Sequence, residues 1–390
     1  MKFAINLSFG LLMGMLSFCG RQSGNDISPM VQSSEKLKLT LVDTLIIPVD
    51  SMTQPSYYYD QFKVIDSIPY YFIYNGARGS LQAYDLSFNK KDFSIEFEKE
   101  GANGIDFPFW FDYHNQDSIF FIYSNDHTRI SLYNSLGKRV SSWVLTFPDD
   151  YKNSWISNEL FYRPDYDPGT NTLGFWISRG YVDRLAFQKT LKQCRFNIKT
   201  QEYIFFGDTP KEFETINFYP NNYINGYATG DSFVTYFNTA HEIHIYRKDS
   251  LSKVKKIFAK SNFLPARFEP LKKKDSDDPD IQEESNYNAT HGFYAKMVSN
   301  ENFTYHYRIV KHPADLRYSD GKRRNFYDRK FSVMVMDKNF NLIEEVEFSG
   351  GKFDFFQSFA YGNKLLLSLN NAMNDFSSDD QMQFAVYEVK

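Results

Sequence analysis

The chain has 390 residues, 18% of them aromatic with 39 Phe and 28 Tyr, and its 44 Lys and Arg are interspersed with 48 Asp and Glu for a formal net charge of -4. That length admits one large or two medium domains, and so even a charge excludes the basic field that holds a phosphate backbone, so nucleic acid is not an expected partner. Phe and Tyr fit pleated, half-buried surfaces better than helices, where they lose χ1 freedom, and the composition points to an all-β chain.

At the N-terminus Lys2 supplies a short positive region, and residues 4–18 form an apolar run interrupted by Asn6, Ser8, Gly10, Gly14 and Ser17. The run is too short to span a bilayer comfortably and reads as an export signal over residues 1–18. It ends in Leu16-Ser17-Phe18-Cys19-Gly20, which resembles the lipobox of bacterial lipoproteins, where the Cys is acylated and becomes the mature N-terminus; Phe18 departs from the small residue usual before that Cys. Cys19 is the expected lipidation site, and several acyl chains on it would hold the protein stably to a membrane. Cys194 is then left with no intramolecular disulfide partner and reads as a small buried hydrophobe. Residues 19–36, rich in Gly, Ser, Asn and Gln, read as the lipidated Cys and a flexible tether.

From residue 37 onward, short apolar and aromatic runs alternate with Asn, Asp, Gly, Ser and Pro, the pattern of many strands and tight turns. One strand-loop-strand unit recurs. Tyr71-Phe72-Ile73-Tyr74 followed by Leu81-Gln82-Ala83-Tyr84-Asp85 returns as Phe120-Phe121-Ile122-Tyr123 with Ile130-Ser131-Leu132-Tyr133-Asn134, and again as Phe233-Val234-Thr235-Tyr236 with Ile243-His244-Ile245-Tyr246. Weaker copies run from Phe175-Trp176-Ile177 to Cys194-Arg195-Phe196-Asn197, through Val333-Met334-Val335-Met336-Asp337, and from Leu365-Leu366-Leu367 to Phe384-Ala385-Val386-Tyr387.

The six equivalent positions, Tyr84, Tyr133, Phe196, Tyr246, Met336 and Tyr387, are spaced by 49, 63, 50, 90 and 51 residues. A basic period near 50 denotes propeller blades, with insertions around 149–168 and 265–286. A turn and one more strand follow each equivalent position, as in 92–97, 140–147 and 342–348, giving about four strands per unit. The sixth unit lacks that strand, and 37–49 is the segment left to supply it. The expected fold is therefore all-β, a six-bladed β-propeller over 37–390 closed by pairing of N- and C-terminal strands, with a β-sandwich plus a second β domain as the alternative.

The phrase Phe97-Glu98-Lys99-Glu100-Gly101-Ala102-Asn103-Gly104-Ile105, between an outer strand and Phe109-Trp110-Phe111, resembles a hallmark of domain of unknown function 4221, a lipoprotein family of Bacteroidetes; Ala102 stands where the family commonly has Pro. Together with Cys19 and the repeats, the resemblance covers nearly the whole mature chain. It implies a six-bladed propeller related to NHL-type repeats, located in the cell envelope at the outer membrane on its periplasmic or surface side. It brings no activity.

In a propeller, loops joining an outer strand to the next inner strand share one face with loops between the two middle strands. That predicts a common polar surface formed by Glu98, Lys99, Glu100, Asn103 and Asp106 with Arg78, Asp126, His127, Arg129, His241 and Glu242. The competing reading is that Gly101 and Gly104 supply positive φ and the charges pair within the turn. His241-Glu242-Ile243-His244 is not a zinc motif, because the spacing is three and strand alternation sends the imidazoles to opposite faces. The block 272–280 alternates carboxylates as a calcium loop does but lacks the turn glycine and contains Pro279, so it reads as solvated charge, with calcium the one cofactor conceivable.

Tyr57-Tyr58-Tyr59, Trp110, Trp155 and Trp176 could stack on sugars, with packing between blades as the plainer use. No nucleophile elbow, phosphate loop or dinucleotide fingerprint is present. The sequence thus points to a monomeric, non-catalytic module holding a peptide, glycan or protein partner, the rival being a metal-assisted hydrolase or lyase at the propeller channel.

Overall fold

Burial separates two kinds of strand in this chain. Ile68–Asn75 and Ser80–Asp85 are buried almost end to end, whereas Lys90–Glu96 and Arg139–Val144 carry charged or polar residues and stay largely exposed. A strand covered on both faces reads as a continuous apolar run, and one at the rim of a sheet does not. Asp66, Ser67, Asn89, Asn171 and Gln201 take positive φ in the turns between strands, mostly residue types that tolerate that conformation.

The computed structural model describes residues 27–34, 36–50, 52–53, 60–105, 108–123, 128–157, 163–179, 191–210, 224–269, 271, 281–371, 373–374 and 380–390. Two N-terminal strands come first, β1 (Ile27–Pro29) and β2 (Leu39–Pro48). Blade 1 is β3 (Asp60–Ile65), β4 (Ile68–Asn75), β5 (Ser80–Asp85) and β6 (Lys90–Glu96). Blade 2 is β7 (Pro108–Asn115), β8 (Ser118–Tyr123), β9 (Arg129–Tyr133) and β10 (Arg139–Val144). In blade 3 the inner position is shared by β11 (Ser154–Ile156) and β12 (Asp165–Asp167), followed by β13 (Thr172–Arg179), β14 (Gln193–Asn197) and β15 (Tyr203–Phe206). Blade 4 is β16 (Ile224–Ala228), β17 (Ser232–Phe237), β18 (Glu242–Arg247) and β19 (Ser250–Phe258). The helix α1 (Ile281–Thr290) precedes blade 5, which is β20 (Phe293–Ser299), β21 (Tyr305–Lys311), β22 (Phe331–Asp337) and β23 (Leu342–Phe348). Blade 6 is β24 (Asp354–Tyr361), β25 (Lys364–Ser368) and β26 (Gln381–Val389), with β2 outermost.

The cores lie between blades, and their membership establishes the ring. Phe72 and Leu81 of blade 1 pack with Phe111 and Phe121 of blade 2; Ile122 of blade 2 packs with Phe175 of blade 3. Trp176 packs with Phe237, Val234 with Met334, Val333 with Leu365, and Phe384 with Tyr71 of blade 1. Six sheets joined by six seams make the expected six-bladed propeller. Closure is also as expected. Antiparallel β2 and β26 pair Leu39 with Val389, Leu45 with Phe384 and Pro48 with Gln381, so the two chain regions share one sheet.

Two expectations are revised. The described part of the supposed tether, 27–34, is docked along the rim: β1 pairs in parallel with β19, Gln32 bridges to Leu342, and the Leu39 amide donates to Glu344 at 2.8 Å. The segment runs along the outer strands of blades 4, 5 and 6. The long 90-residue spacing also holds a second insertion, 312–330, between β21 and β22. Arg329 ties the two insertions together, donating to the carbonyls of Asn288 and His291 beside the end of α1 and to that of His312.

Candidate functional site

The structure keeps the Arg78 loop against the Glu98-to-Asn103 loop and sets His241 and Glu242 on the far side of the ring. Phe97 and Ile105 are buried in the seam between blades 1 and 2, and the loop they bracket closes on itself through Ile105 N to Glu98 O at 2.9 Å and Gly104 N to Gly101 O at 3.1 Å. Gly101 has φ +86, as its turn requires. Gly104 does not need positive φ; a Cβ there would lie 2.8 Å from the Glu100 carbonyl carbon, so its role is close approach.

Lys99 Nζ donates to the Ala77 carbonyl at 2.7 Å, and Asn103 accepts from the Arg139 amide at 3.2 Å while donating to Glu98 at 3.4 Å. Glu98 and Glu100 are exposed, as are Arg78, which pairs with Asp50 at 3.4 Å, and Arg129. Asp106, Asp126, His127 and Cys19 lie outside the described residues, as do 57–59 and the 272–280 charge block.

His241 sits at the seam between blades 4 and 5, across the ring from that loop. Its Nε2 donates to the Pro265 carbonyl at 3.0 Å and its Nδ1 lies 2.7 Å from Tyr294 Oη. Burial, then the Arg308 charge, push its pKa down to about 4. His244 instead bonds Glu242 at 2.7 Å. Trp110 and Trp176 are buried, which makes them packing residues, and so is Cys194, whose thiol burial drives well above its ordinary range.

What converges is a set of groups that sequence reasoning did not single out. Asp60 opens the innermost strand of blade 1, and its carboxylate bonds both Tyr71 Oη and the Arg163 guanidinium from blade 3. Lys296 on the inner strand of blade 5 donates to the Phe356 and Ser358 carbonyls of blade 6 at 2.5 and 2.7 Å. Lys296 is influenced by the charges of Arg163, Asp60 and Asp354, the last of which opens the inner strand of blade 6. Blades 1, 3 and 5 are alternate members of a six-fold ring, so side chains from all three meet only at its axis.

Beside this set, Asp112 of blade 2, fully buried, accepts from Gln61 and Lys63 of blade 1 and from the Tyr166 amide of blade 3 at 3.1 Å. The axis is thus lined by charge from five blades. Burial lowers the Lys296 amine to about 7, with Arg163 adding to the shift and the two aspartates opposing it. Burial raises the Asp354 carboxyl to about 6, assisted by Asp60 and opposed by the Phe356 amide and Lys296. Arg163 is the most exposed of the set, with a third of its side chain accessible. Among the described residues no group of three or more His, Cys, Asp or Glu is placed to hold a metal ion.

Sequence similarity reaches the first part of the ring. The DUF4221 family, described as a domain of unknown function, matches residues 34–173, from the closing strand into blade 3. Among solved structures, a DUF4221 member from Bacteroides vulgatus is 18% identical with a TM-score of 0.76, the match covering 92% of this chain and 99% of that one. A Bacteroides fragilis protein described as exported is 10% identical with a TM-score of 0.52, covering 93% and 99%. No curated protein matches the chain. The likenesses bear on the fold, and the NHL-type relation rests on the motif resemblance alone.

Proposed function

We propose that this propeller, whose residues 34–173 carry the DUF4221 match and whose fold is that of a DUF4221 member, is a non-catalytic binding module of the cell envelope, anchored through lipid on Cys19. It takes a polar segment of a peptide, glycan or protein partner at the mouth of its channel. The observation carrying this reading is the meeting of Asp60, Arg163, Lys296 and Asp354 on the ring axis. Fixed donors and acceptors of both signs, gathered on the ring axis, suit a ligand with its own hydroxyl, amide or charged groups.

Saturation of those groups supports binding over covalent chemistry: Asp60 already holds two partners, and Lys296 two carbonyls. The depressed Lys296 and raised Asp354 favour the rival reading of acid-base chemistry at the same place.

The experiment is capture from native envelope extract, with the mature chain, its Arg163→Ala and Asp60→Asn variants, and Lys99→Ala as a folded control. Wild type and Lys99→Ala are expected to retain the same partner, and the axis variants to lose it about tenfold or more, as for a hydrogen-bonded charge removed from a buried contact. Equal capture by all four chains would remove the channel as the site. Palmitate labelling that persists in Cys19→Ser would remove the anchor.

A further inference from the structure

The strand β1 fixes where an anchored chain must leave the ring. Ile27 pairs with Lys256 and Pro29 with Phe258, on the outermost strand of blade 4. Eight peptide steps separate Cys19 from Ile27 and span at most about 29 Å even when fully extended. Blade 1 lies opposite blade 4. With five strands in one sheet and four in the other, their outer edges are roughly 40 Å apart at the spacing of paired strands. An anchor on Cys19 therefore holds the edge of blade 4 near the bilayer and keeps that of blade 1 away.

Charge points the same way. β19 reads Ser-Leu-Ser-Lys-Val-Lys-Lys-Ile-Phe, without an acid, and Lys253 and Lys255 are exposed on it. Next round the rim, β23 carries Glu344, Glu345 and Glu347 and no cation. Beside the lysines stand exposed apolar side chains, Ile27 at 43% and Phe258 at 40% accessible, and Val31, at 59%, follows where the chain crosses to Leu342 of blade 5. Apolar side chains also protrude on other blades, Phe88 and Leu136 among them, so hydrophobicity alone chooses no edge. Exposed lysines stand beside an apolar side chain on blade 1 as well, Lys90 and Lys91 next to Phe88, so among the described residues it is the point where the chain leaves the ring that singles out blade 4.

We propose that the outer edge of blade 4, formed by Ile27, Lys253, Lys255 and Phe258 and continued by Val31 at its junction with blade 5, is the surface that rests on an anionic lipid bilayer. The lysines meet headgroup phosphates and the apolar side chains enter the interface. The ring then stands on its rim with the channel axis parallel to the membrane, and both channel mouths open to solvent. The inference rests on the Cys19 anchor proposed above and adds the orientation.

The test uses the lipidated chain in phosphatidylcholine vesicles containing phosphatidylglycerol, with a nitrobenzoxadiazole probe on a cysteine introduced at Lys255, Val31 or Phe88. Cys194 is buried and Cys19 is acylated, so neither takes the label. Headgroup nitroxide lipids should quench the probe at 255 and 31 at least about fivefold more than at 88, which stands roughly 40 Å farther off. Lys253→Glu with Lys255→Glu should bring quenching at 31 down to the level at 88 while the protein still floats with the vesicles. Equal quenching at 255 and 88, or no response to the charge reversal, overturns the proposal.

Failure to float is a failure of the anchor instead. The edge is then decided with the Cys19→Ser chain and phosphatidylglycerol vesicles. A loss of about tenfold or more in bound fraction on charge reversal upholds the surface, and unchanged binding rejects it.

Discussion

The seam between blades 1 and 2 and the ring axis are both buried, yet they are built from opposite materials. At the seam Phe121 is ringed by Tyr74, Phe97, Phe111 and Tyr133 at centroid distances of 5.2 to 6.3 Å, in edge and tilted contacts. Phe72 stacks on Tyr113 at 4.5 Å. At the axis Asp60, Asp112, Arg163, Lys296 and Asp354 are held by hydrogen bonds and charge. Rings contribute through burial, which has no proton to lose; buried ions cost desolvation and repay it only through geometry. The seam should therefore set how stable the ring is, and the axis how stability and binding answer to pH.

The hardest way to break that contrast is to empty the seam. Phe121→Ala removes the ring at its centre and is expected to cost about 3–5 kcal/mol, equally at acid and neutral pH, in denaturant melts. A loss below about 1 kcal/mol would mean that blades 1 and 2 are held by their strand connections and not by the rings.

Asp354→Asn tests the other half. The folded pKa of Asp354 is raised from 3.8 to about 6, so its contribution is fully present below the unfolded value and is lost as pH rises through the folded one. Wild type should accordingly lose stability relative to the variant between pH 4 and pH 6. Two units correspond to about 3 kcal/mol, less whatever Lys296 returns while it is still charged. Melts of both proteins across that range read the difference. A flat difference curve would show that burial does not govern this carboxyl.

The two regions were also unequally legible. Repetition carries the seams, because every blade must present large side chains to the next, and so Tyr84, Tyr133 and Tyr246 recur at equivalent positions and disclose the blade count. The closing strand followed from the one unit short of a partner. The axis has no such signal. Asp60, Lys296 and Asp354 lie on inner strands whose sequences differ from blade to blade, and Arg163 lies between the two halves of the split inner strand of blade 3, inside what reads as a loop insertion. No local spacing links residues 60, 163, 296 and 354; only the arrangement of the blades around the ring does. The Phe97-to-Ile105 motif serves the seam through its buried ends and glycines, a role that its charges, read as a ligand surface, do not announce.

The smallest predicted effect sharpens that last point. Tyr133 Oη donates to the Gly104 carbonyl at 3.0 Å and lies 3.0 Å from Tyr123 Oη, so one hydroxyl of blade 2 holds the motif loop arriving from blade 1. Tyr133→Phe keeps the ring and its edge contacts with Phe97 and Phe121. It should cost about 1 kcal/mol, the net worth of a hydrogen bond whose carbonyl partner is left unpaired. Hydrogen exchange at the Ile105 amide should quicken with it, because that amide closes the same loop onto Glu98. If stability falls while exchange at Ile105 is unchanged, the loop keeps its shape through its own turn, and the hydroxyl serves only the pair of tyrosines. If both move together, the motif is a clasp between two blades, in which Gly101 supplies the positive φ of the turn and Gly104 the close approach that leaves no room for a Cβ.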